Sequence, residues 1–232
     1  MTSNSSKWIF RKIRDIQYLD FSRNMDAIDL YKKLNLIYPD KEFQHLTKLQ
    51  NLSVDLYGFP EFGVGFKNLP LKVLSFSWCY IKHLQSNTFK NFPPTVLKIR
   101  LTTCALINVN NIENNLFGPF INLSRLDMSW TEITLTKGLE LLYPMRNKSM
   151  ELINFGHMWN SWTNRTIVPF AIILTPSNMQ YLNSICVKTL IIADNNVVDI
   201  LPNSLFASPY LNCYEEIDLS GNRFGFSAMP LD

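Results

Sequence analysis

The chain has 232 residues, of which 47% are hydrophobic and 18% are charged, and its formal net charge is +3. This apolar content can form a substantial core and excludes a disordered chain, and so small a charge does not imply nucleic acid or an acidic membrane as the partner. No apolar run reaches the roughly 18–20 residues that a membrane-spanning helix needs. The longest, "IVPFAIIL" at 167–174, is interrupted by a proline.

One short block recurs along the chain. "VLKIRLTTCAL" at 96–106, "VKTLIIADNNV" at 187–197 and "YEEIDLSGNRF" at 214–224 share apolar residues at the first, fourth and sixth positions and Cys or Asn at the ninth. The ninth residue is Cys104 in the first of these blocks and Asn195 in the second. This is the leucine-rich repeat signature LxxLxLxxNxL, in which cysteine can take the place of asparagine.

Eight copies of the block can be aligned in chain order, at spacings of 33, 22, 25, 27, 27, 37 and 27 residues. Five of the seven spacings lie in the range of about 20–29 residues that is typical of these repeats. The second and sixth copies are weak, because Tyr57 and Met158 occupy their ninth positions. The copies begin at Ile16, Leu49, Leu71, Val96, Leu123, Met150, Val187 and Tyr214.

The spacing has a physical reason. In an extended strand the fourth and sixth residues point inward, whereas the third, fifth and seventh point outward. At the ninth position a short polar side chain can satisfy backbone groups of the following turn, and cysteine fits the same space with weaker hydrogen bonding. One copy cannot bury its apolar face alone, so the copies must stack.

We therefore predict an α/β fold, a leucine-rich repeat solenoid with a curved parallel β-sheet on its concave side and loops or short helical turns on its convex side. Phe89, Phe117 and Phe206 are expected to fill the convex half of each coil. An N-terminal segment, 1–15, precedes the solenoid, which spans 16–232 in about eight rungs and is expected to be uncapped at both ends.

Two signals bear on the compartment. The N-terminus lacks the apolar core of a secretory signal peptide, which by itself favours the cytosol. Sequons for N-glycosylation favour the extracellular side instead. No cysteine precedes Cys79 and the chain stops soon after Phe224, so we expect an interior piece of a longer protein. The sequons lie at Asn4, Asn51, Asn122, Asn147 and Asn164.

Three blocks carry a resemblance to a receptor family. "LSRLDMSWTEI" at 123–133, "IIADNNVVDILPNSLFAS" at 191–208 and "IDLSGNRF" at 217–224 resemble the repeats of Toll-like receptor ectodomains. "NTFKNFP" and "LFGPFINLSRL" also resemble that family's repeat, in which a phenylalanine and a short loop precede the next strand. The resemblance implies innate immune recognition through ligand binding, receptor dimerisation and transmitted signalling.

Motifs for catalysis, metals and phosphates are missing from the sequence. None of His45, His83 and His157 has a second histidine at metal-ligand spacing. "GVGFKN" at 63–68 lacks the third glycine of a phosphate loop. We therefore expect no enzyme activity, no cofactor and no metal.

Two classes of function remain open. The first is the recognition module of a signalling receptor, extracellular or secreted, that takes a protein or microbial ligand on its concave face or long loops. The alternative is a secreted or intracellular scaffold that binds a protein partner without signalling. In the first case, membrane attachment would come only from sequence that flanks these residues.

The cysteines are expected to form one disulfide. Cys186 and Cys213 each immediately precede the first position of consecutive copies, and rungs about 4.8 Å apart lie within the usual Cα separation of bridged cysteines. Cys79 and Cys104 are also one rung apart, but both point inward from parallel ladder positions, which predicts no bridge between them.

The outward positions predict a ligand surface on the concave side. Trp78 and Trp130, both at eighth positions, should lie about 10 Å apart, with Arg100 and Asp127 at fifth positions between them and His157 at the next eighth position. Exposed aromatic residues flanked by charges are typical of binding hot spots. The alternative is that the tryptophans only cover neighbouring turns.

The two long rungs are expected to leave the solenoid as loops, at residues 24–48 and within 150–186. Such loops often carry binding or processing. They can equally serve only to cover their own apolar side chains.

Overall fold

The computed structural model describes residues 12–23, 38, 40–81, 83–106, 112–158 and 171–225. For Trp78, Leu106 and Phe206 the description covers the backbone and not the side chain.

Along these residues the chain forms eleven strands and three short α-helices. The strands are β1 (Tyr18–Phe21), β2 (Asn51–Val54), β3 (Tyr57–Gly58), β4 (Val73–Ile81), β5 (Lys98–Leu106), β6 (Arg125–Asp127), β7 (Ser149–Asn154), β8 (Ile172–Leu174), β9 (Cys186–Ile191), β10 (Val197–Ile200) and β11 (Glu216–Asp218). The α-helices are α1 (Asp40–Phe43), α2 (Leu135–Glu140) and α3 (Pro176–Met179), and 3₁₀ turns span Val64–Phe66, Tyr143–Met145, Leu182–Ser184, Leu205–Ala207 and Leu211–Cys213. Within the described ranges no helix is both long and apolar enough to cross a bilayer.

The strands assemble into one main parallel sheet. Its order is β1, β2, β4, β5, β6, β7, β9 and β11, with β3 paired to the end of β4. β8 and β10 form a second, two-stranded parallel sheet. In the main sheet the third position of each copy pairs with the third position of the next: Tyr18, Asn51, Val73, Lys98, Arg125, Leu152, Thr189 and Glu216. The fold is a leucine-rich repeat solenoid, and the weak second and sixth copies keep the same register.

The core runs along the inside of the coils. Fourth-position residues from β2 to β9 are at most 1% exposed: Leu52, Leu74, Ile99, Leu126, Ile153 and Leu190. Behind the sheet, phenylalanines of successive rungs stack, as in the pair of Phe89 and Phe117, whose ring centroids lie 6.5 Å apart. Both rings are fully buried, so they do fill the convex half of the coil, whereas the side chain of Phe206 lies outside the described residues.

Local signals start the convex helices. The side chain of Thr134 accepts a hydrogen bond from the Lys137 N–H at the start of α2. Thr175 and Asn178 form a reciprocal capping box around the start of α3. These caps satisfy N–H groups that a short helix leaves unpaired, which is why one-turn helices suffice to connect the strands.

Both cysteine pairs are bonded. Cys186, the first residue of β9, joins Cys213, with Cα atoms 5.4 Å apart. Cys79 also joins Cys104, with Cα atoms 4.2 Å apart, so the expectation that this second pair would not bridge is wrong. The reason is the register: β4 and β5 pair Cys79 directly with Cys104, and two inward side chains at paired positions share one buried space.

Candidate functional site on the concave surface

A repeated turn follows the strands and sets one row of the concave surface. Residues at the eighth position adopt left-handed backbone in six of the eight copies. Side chains in this conformation are uncommon outside glycine, asparagine and aspartate, and a bulky residue there is strained. The six residues, with φ between 54° and 67°, are Arg23, Thr103, Trp130, His157, Asp194 and Gly221.

Four of these residues contact one another across neighbouring rungs, and we call them the aromatic ladder: Trp130, His157, Asp194 and Gly221. The Trp130 ring stacks on the imidazole of His157 with centroids 3.8 Å apart and planes at 15°. His157 Nε2 lies 2.9 Å from Asp194 Oδ2. The Asp194 carboxylate lies over Gly221, where an added Cβ would overlap it. The row is therefore held by direct contacts as well as by the backbone.

The aromatic ladder is accessible to a partner. Trp130 is 46% exposed even though one face of its ring covers His157. The side chains of His157 and Asp194 are 36% and 41% exposed. The alternative that the tryptophan covers a neighbouring turn is thus half of the answer for Trp130, since the other half of its surface faces solvent.

Asparagines at the ninth position hold the turns beneath the aromatic ladder. The Asn195 amide donates to the carbonyls of Phe155, at 2.6 Å, and Ala193, at 3.0 Å, and its Oδ1 accepts from the Met158 N–H at 3.0 Å. Asn222 Oδ1 in turn accepts from the Asn195 N–H at 3.0 Å. A buried amide can serve both donors and acceptors of a tight turn, so each asparagine ties its own turn to the next.

Cysteine at the ninth position produces a different arrangement. A bonded sulfur has no hydrogen to donate, and in these rungs the backbone groups pair with backbone instead. β4 and β5 extend to nine residues each, and their pairing continues past Cys79 and Cys104 to Ile81 and Leu106. This is why the alternation in 96–106 reads as a strand that does not stop.

The remaining predicted site residues lie on the same sheet but do not all converge. Arg100 is exposed at the fifth position of β5 and pairs in register with Asp127 of β6. Asp127 Oδ1 accepts hydrogen bonds from the backbone N–H and hydroxyl of Ser129, at 3.1 and 2.8 Å. The side chain of Trp78 lies outside the described residues, so its spacing from Trp130 stays a prediction.

A shallow depression of about 270 Å³ lies toward the other end of the sheet, where β1, β2, β4 and β5 meet. The sequence argument missed Lys98, which lies on its wall beside Arg100. The signal was present, because lysine and arginine two residues apart on a strand share one face. The depression is lined by Tyr18, Asn51, Leu52, Ser53, Val73, Ser75, Lys98 and Arg100.

The charges on this sheet are not paired evenly. Arg125 Nε lies 2.6 Å from Glu151 Oε2 on the next rung, and Lys188 Nζ lies 2.8 Å from Glu215 Oε1. Partial burial, followed by the nearby Arg100 and Arg125 charges, lowers the pKa of Lys98, and Asp127 opposes this only in part. Lys98 therefore lies in a locally positive part of the sheet.

The predicted glycosylation sites are distributed over the solenoid. Asn122 and Asn147 are exposed in turns, and Asn51 is half-buried on the concave surface at the depression. Asn4 and Asn164 lie outside the described residues. Their modification stays a prediction.

A larger cavity, of about 710 Å³, lies beside the turn that follows β3, with Phe59, Phe62 and His83 in its wall. Phe62 is part of the buried core, and residue 82, next to His83, is outside the described residues. We assign it no function. Among the described residues no group of three His, Cys, Asp or Glu side chains could hold a metal ion.

Comparison with known proteins finds similarity at the level of the fold. No protein-family model and no curated protein sequence matches the chain. A crystal structure of a TLR13–ssRNA13 complex is similar over 79% of this chain and 27% of that one, with 15% identity and a TM-score of 0.47. An internalin, InlF from Listeria monocytogenes, is similar over 93% of this chain and 58% of that one, with 12% identity and a TM-score of 0.45.

Both are leucine-rich repeat proteins. This chain spans about a quarter of the first and somewhat more than half of the second. Similarity this distant transfers no function, and the fold assignment rests on the strand register itself.

Proposed function

We propose that this chain is a protein-binding module that recognises its partner through the aromatic ladder. The observation that carries the proposal is Trp130. A bulky residue in left-handed backbone is strained, at a cost of about 1–3 kcal/mol, and glycine at position 221 is the residue that suits this turn best. A strained and half-exposed tryptophan has no structural advantage over glycine there, so it is retained for contact with a partner.

The neighbours of Trp130 make it suitable for binding. Its ring is fixed by stacking on His157, which is fixed in turn by Asp194. A pre-ordered aromatic side chain loses little conformational entropy on binding, and tryptophan is the residue most enriched in binding hot spots. The polar groups of His157 and Asp194 beside it supply hydrogen-bonding capacity at the edge of the contact.

The finer part of the proposal is that the chain belongs to the extracellular region of a Toll-like innate immune receptor, with signal transduction carried by sequence outside it. Its support is the resemblance of the blocks at 123–133, 191–208 and 217–224 to that family. A bridge between Cys186 and Cys213 suits an oxidising compartment. Exposed sequons at Asn122 and Asn147 are accessible to glycosylation.

Peptides selected from a random phage library against the chain test the binding surface, because such peptides concentrate on pre-ordered hot spots. We expect most selected peptides to lose about tenfold or more in affinity for Trp130→Ala, as truncation of a hot-spot residue costs more than 1 kcal/mol. Phe59→Ala is the matched control, because Phe59 is 49% exposed but lies outside the main-sheet strands. Peptides that bind both variants equally well would contradict the site.

The receptor assignment is tested by the full-length transcript. A membrane span followed by a signalling domain is expected beyond Asp232. A stop codon directly after Asp232 would instead favour the scaffold without signalling.

A further inference from the structure

The depression at β1, β2, β4 and β5 has its two cations at one end. Lys98 is half-buried and Arg100 is exposed. Within the described ranges neither has an acidic group at ion-pair distance, whereas Lys48, Arg125 and Lys188 on the same solenoid each have one, at 3.1, 2.6 and 2.8 Å. The chain thus pairs its other cations along the strand starts and leaves these two free beside a concave space.

The other end of the depression is different in charge. Asp20 adjoins it next to Ser53 in register, and hydrogen bonds from Ser22, Ser53 and Tyr18 hold the pKa of Asp20 below its usual value. A carboxylate there would repel an anion. An anionic ligand is therefore directed to the end that Lys98 and Arg100 form.

The spacing of the two cations suggests what the anion is. Lys98 and Arg100 are two residues apart on one face of β5, which separates them by about 6.6 Å. An extended polypeptide repeats its side chains on one face at the same distance, so acidic residues at alternate positions would meet both cations at once. Polar walls at Asn51, Ser53 and Ser75 can bond the carbonyls and N–H groups of such a segment.

We propose that this depression binds an extended acidic segment of the partner protein, with carboxylates at alternate positions contacting Lys98 and Arg100. The inference rests on the proposed protein-binding function but does not depend on Trp130. It divides the concave surface into an aromatic contact on the later rungs and a cation-lined contact on the earlier ones. Each would add affinity to the other if one partner spans both.

The experiment compares two peptides of equal composition and charge, each about twelve residues long so that it can span the strands. One alternates Glu and Ser. The other repeats the block Glu-Glu-Ser-Ser, so that only half of its carboxylates share a face. Binding to the full chain is measured by fluorescence anisotropy, with Asn51→Gln in every sample because a glycan on Asn51 would fill the depression.

We expect the alternating peptide to bind about fivefold to tenfold more tightly than the block peptide, the gain from two exposed ion pairs. The double variant Lys98→Gln with Arg100→Gln should abolish this preference. The control, Lys67→Gln with Lys90→Gln, changes net charge equally at exposed residues outside the main sheet and should keep it.

Equal affinity for the two peptides in the starting chain would overturn the proposal, as would a preference that survives in the Lys98 and Arg100 double variant. A heparin tetrasaccharide that displaces the alternating peptide and binds more tightly than it would assign the depression to a sulfated glycan instead. The preference should persist in Trp130→Ala. That result separates failure of this site from failure of the aromatic ladder.

Discussion

The third and fourth rungs, with cysteine at the ninth position, can be compared with the seventh and eighth, with asparagine there. All four strands keep one register along the same sheet. In the cysteine rungs β4 and β5 continue for nine residues, and backbone pairs with backbone through the turn. In the asparagine rungs β9 and β11 stop after six and three residues, and the Asn195 and Asn222 amides take over the backbone groups.

The difference shows that one position decides how a rung presents its outward residues. A rung that turns on an asparagine places its eighth residue in left-handed backbone, where the Asp194 and Gly221 members of the aromatic ladder lie. A rung that continues as strand presents a longer flat face, on which the cations Lys98 and Arg100 remain side by side. The two proposed contacts therefore follow from two ways of satisfying the same backbone groups.

The largest expected effect breaks the asparagine turn. Asn195→Ala removes three hydrogen bonds to backbone groups at a residue only 1% exposed. We expect a loss of about 4 kcal/mol in the free energy of unfolding, because each buried group left unpaired costs about 1–3 kcal/mol. Urea unfolding measures this, with the exposed Asn87→Ala as control. A loss below about 1 kcal/mol would mean that the turn is held by the backbone alone, as in the cysteine rungs.

The second prediction concerns the bridge that the asparagine rungs carry outside their turns. Replacing both Cys186 and Cys213 by Ala should lower the free energy of unfolding by about 3 kcal/mol, the entropy of closing a loop of this length. The bridge spans 27 residues of sequence. Thermal unfolding with and without reductant provides the measurement, and the double variant should no longer respond to reduction of this bond. Unfolding unchanged by the substitution would show that strand pairing already fixes these rungs.

A third prediction tests the contact between aspartate and glycine in the aromatic ladder. Gly221→Ala should destabilise the fold by about 2 kcal/mol, because alanine is disfavoured at φ 67° and its Cβ overlaps the Asp194 carboxylate. It should also displace Asp194 from His157, which NMR of the imidazole would detect. Gly225→Ala is the matched control, since an added Cβ there meets nothing within 4 Å. Equal stability of the two variants would argue against the close approach.

The smallest expected effect on stability comes from Trp130→Gly. Relief of left-handed strain, of about 1–3 kcal/mol, offsets the lost stacking on His157, of about 0.5–1.5 kcal/mol. The variant should therefore unfold at or slightly above the wild-type urea midpoint while selected peptides bind it poorly. Thr103→Gly relieves the same backbone on a cysteine rung and should leave binding intact. A clear loss of stability in Trp130→Gly would mean that the tryptophan serves the fold.

Much of the fold was predictable because the repeat constrains it strongly. A slip of one residue in any strand would turn its inward residues to solvent, so the alternation around Leu74, Ile99 and Leu126 allows a single register. The candidate site was less predictable. Trp130 and His157 were identifiable as neighbours by position, yet their stacking at 3.8 Å depends on the left-handed turn, for which the repeat signature carries no code at a tryptophan.

The sequence by itself determined the stacking order of the rungs, the inward and outward faces of each strand and the closeness of Cys186 to Cys213, because these depend on periods of two residues and of one repeat. Only the tertiary structure decided that Cys79 meets Cys104, that Asp194 completes the aromatic ladder and that Lys98 and Arg100 lack the acidic neighbour that Arg125 has in Glu151. Those outcomes depend on which side chains from separate rungs come within a few ångströms. Such distances are set by the curvature and the turns of the whole solenoid.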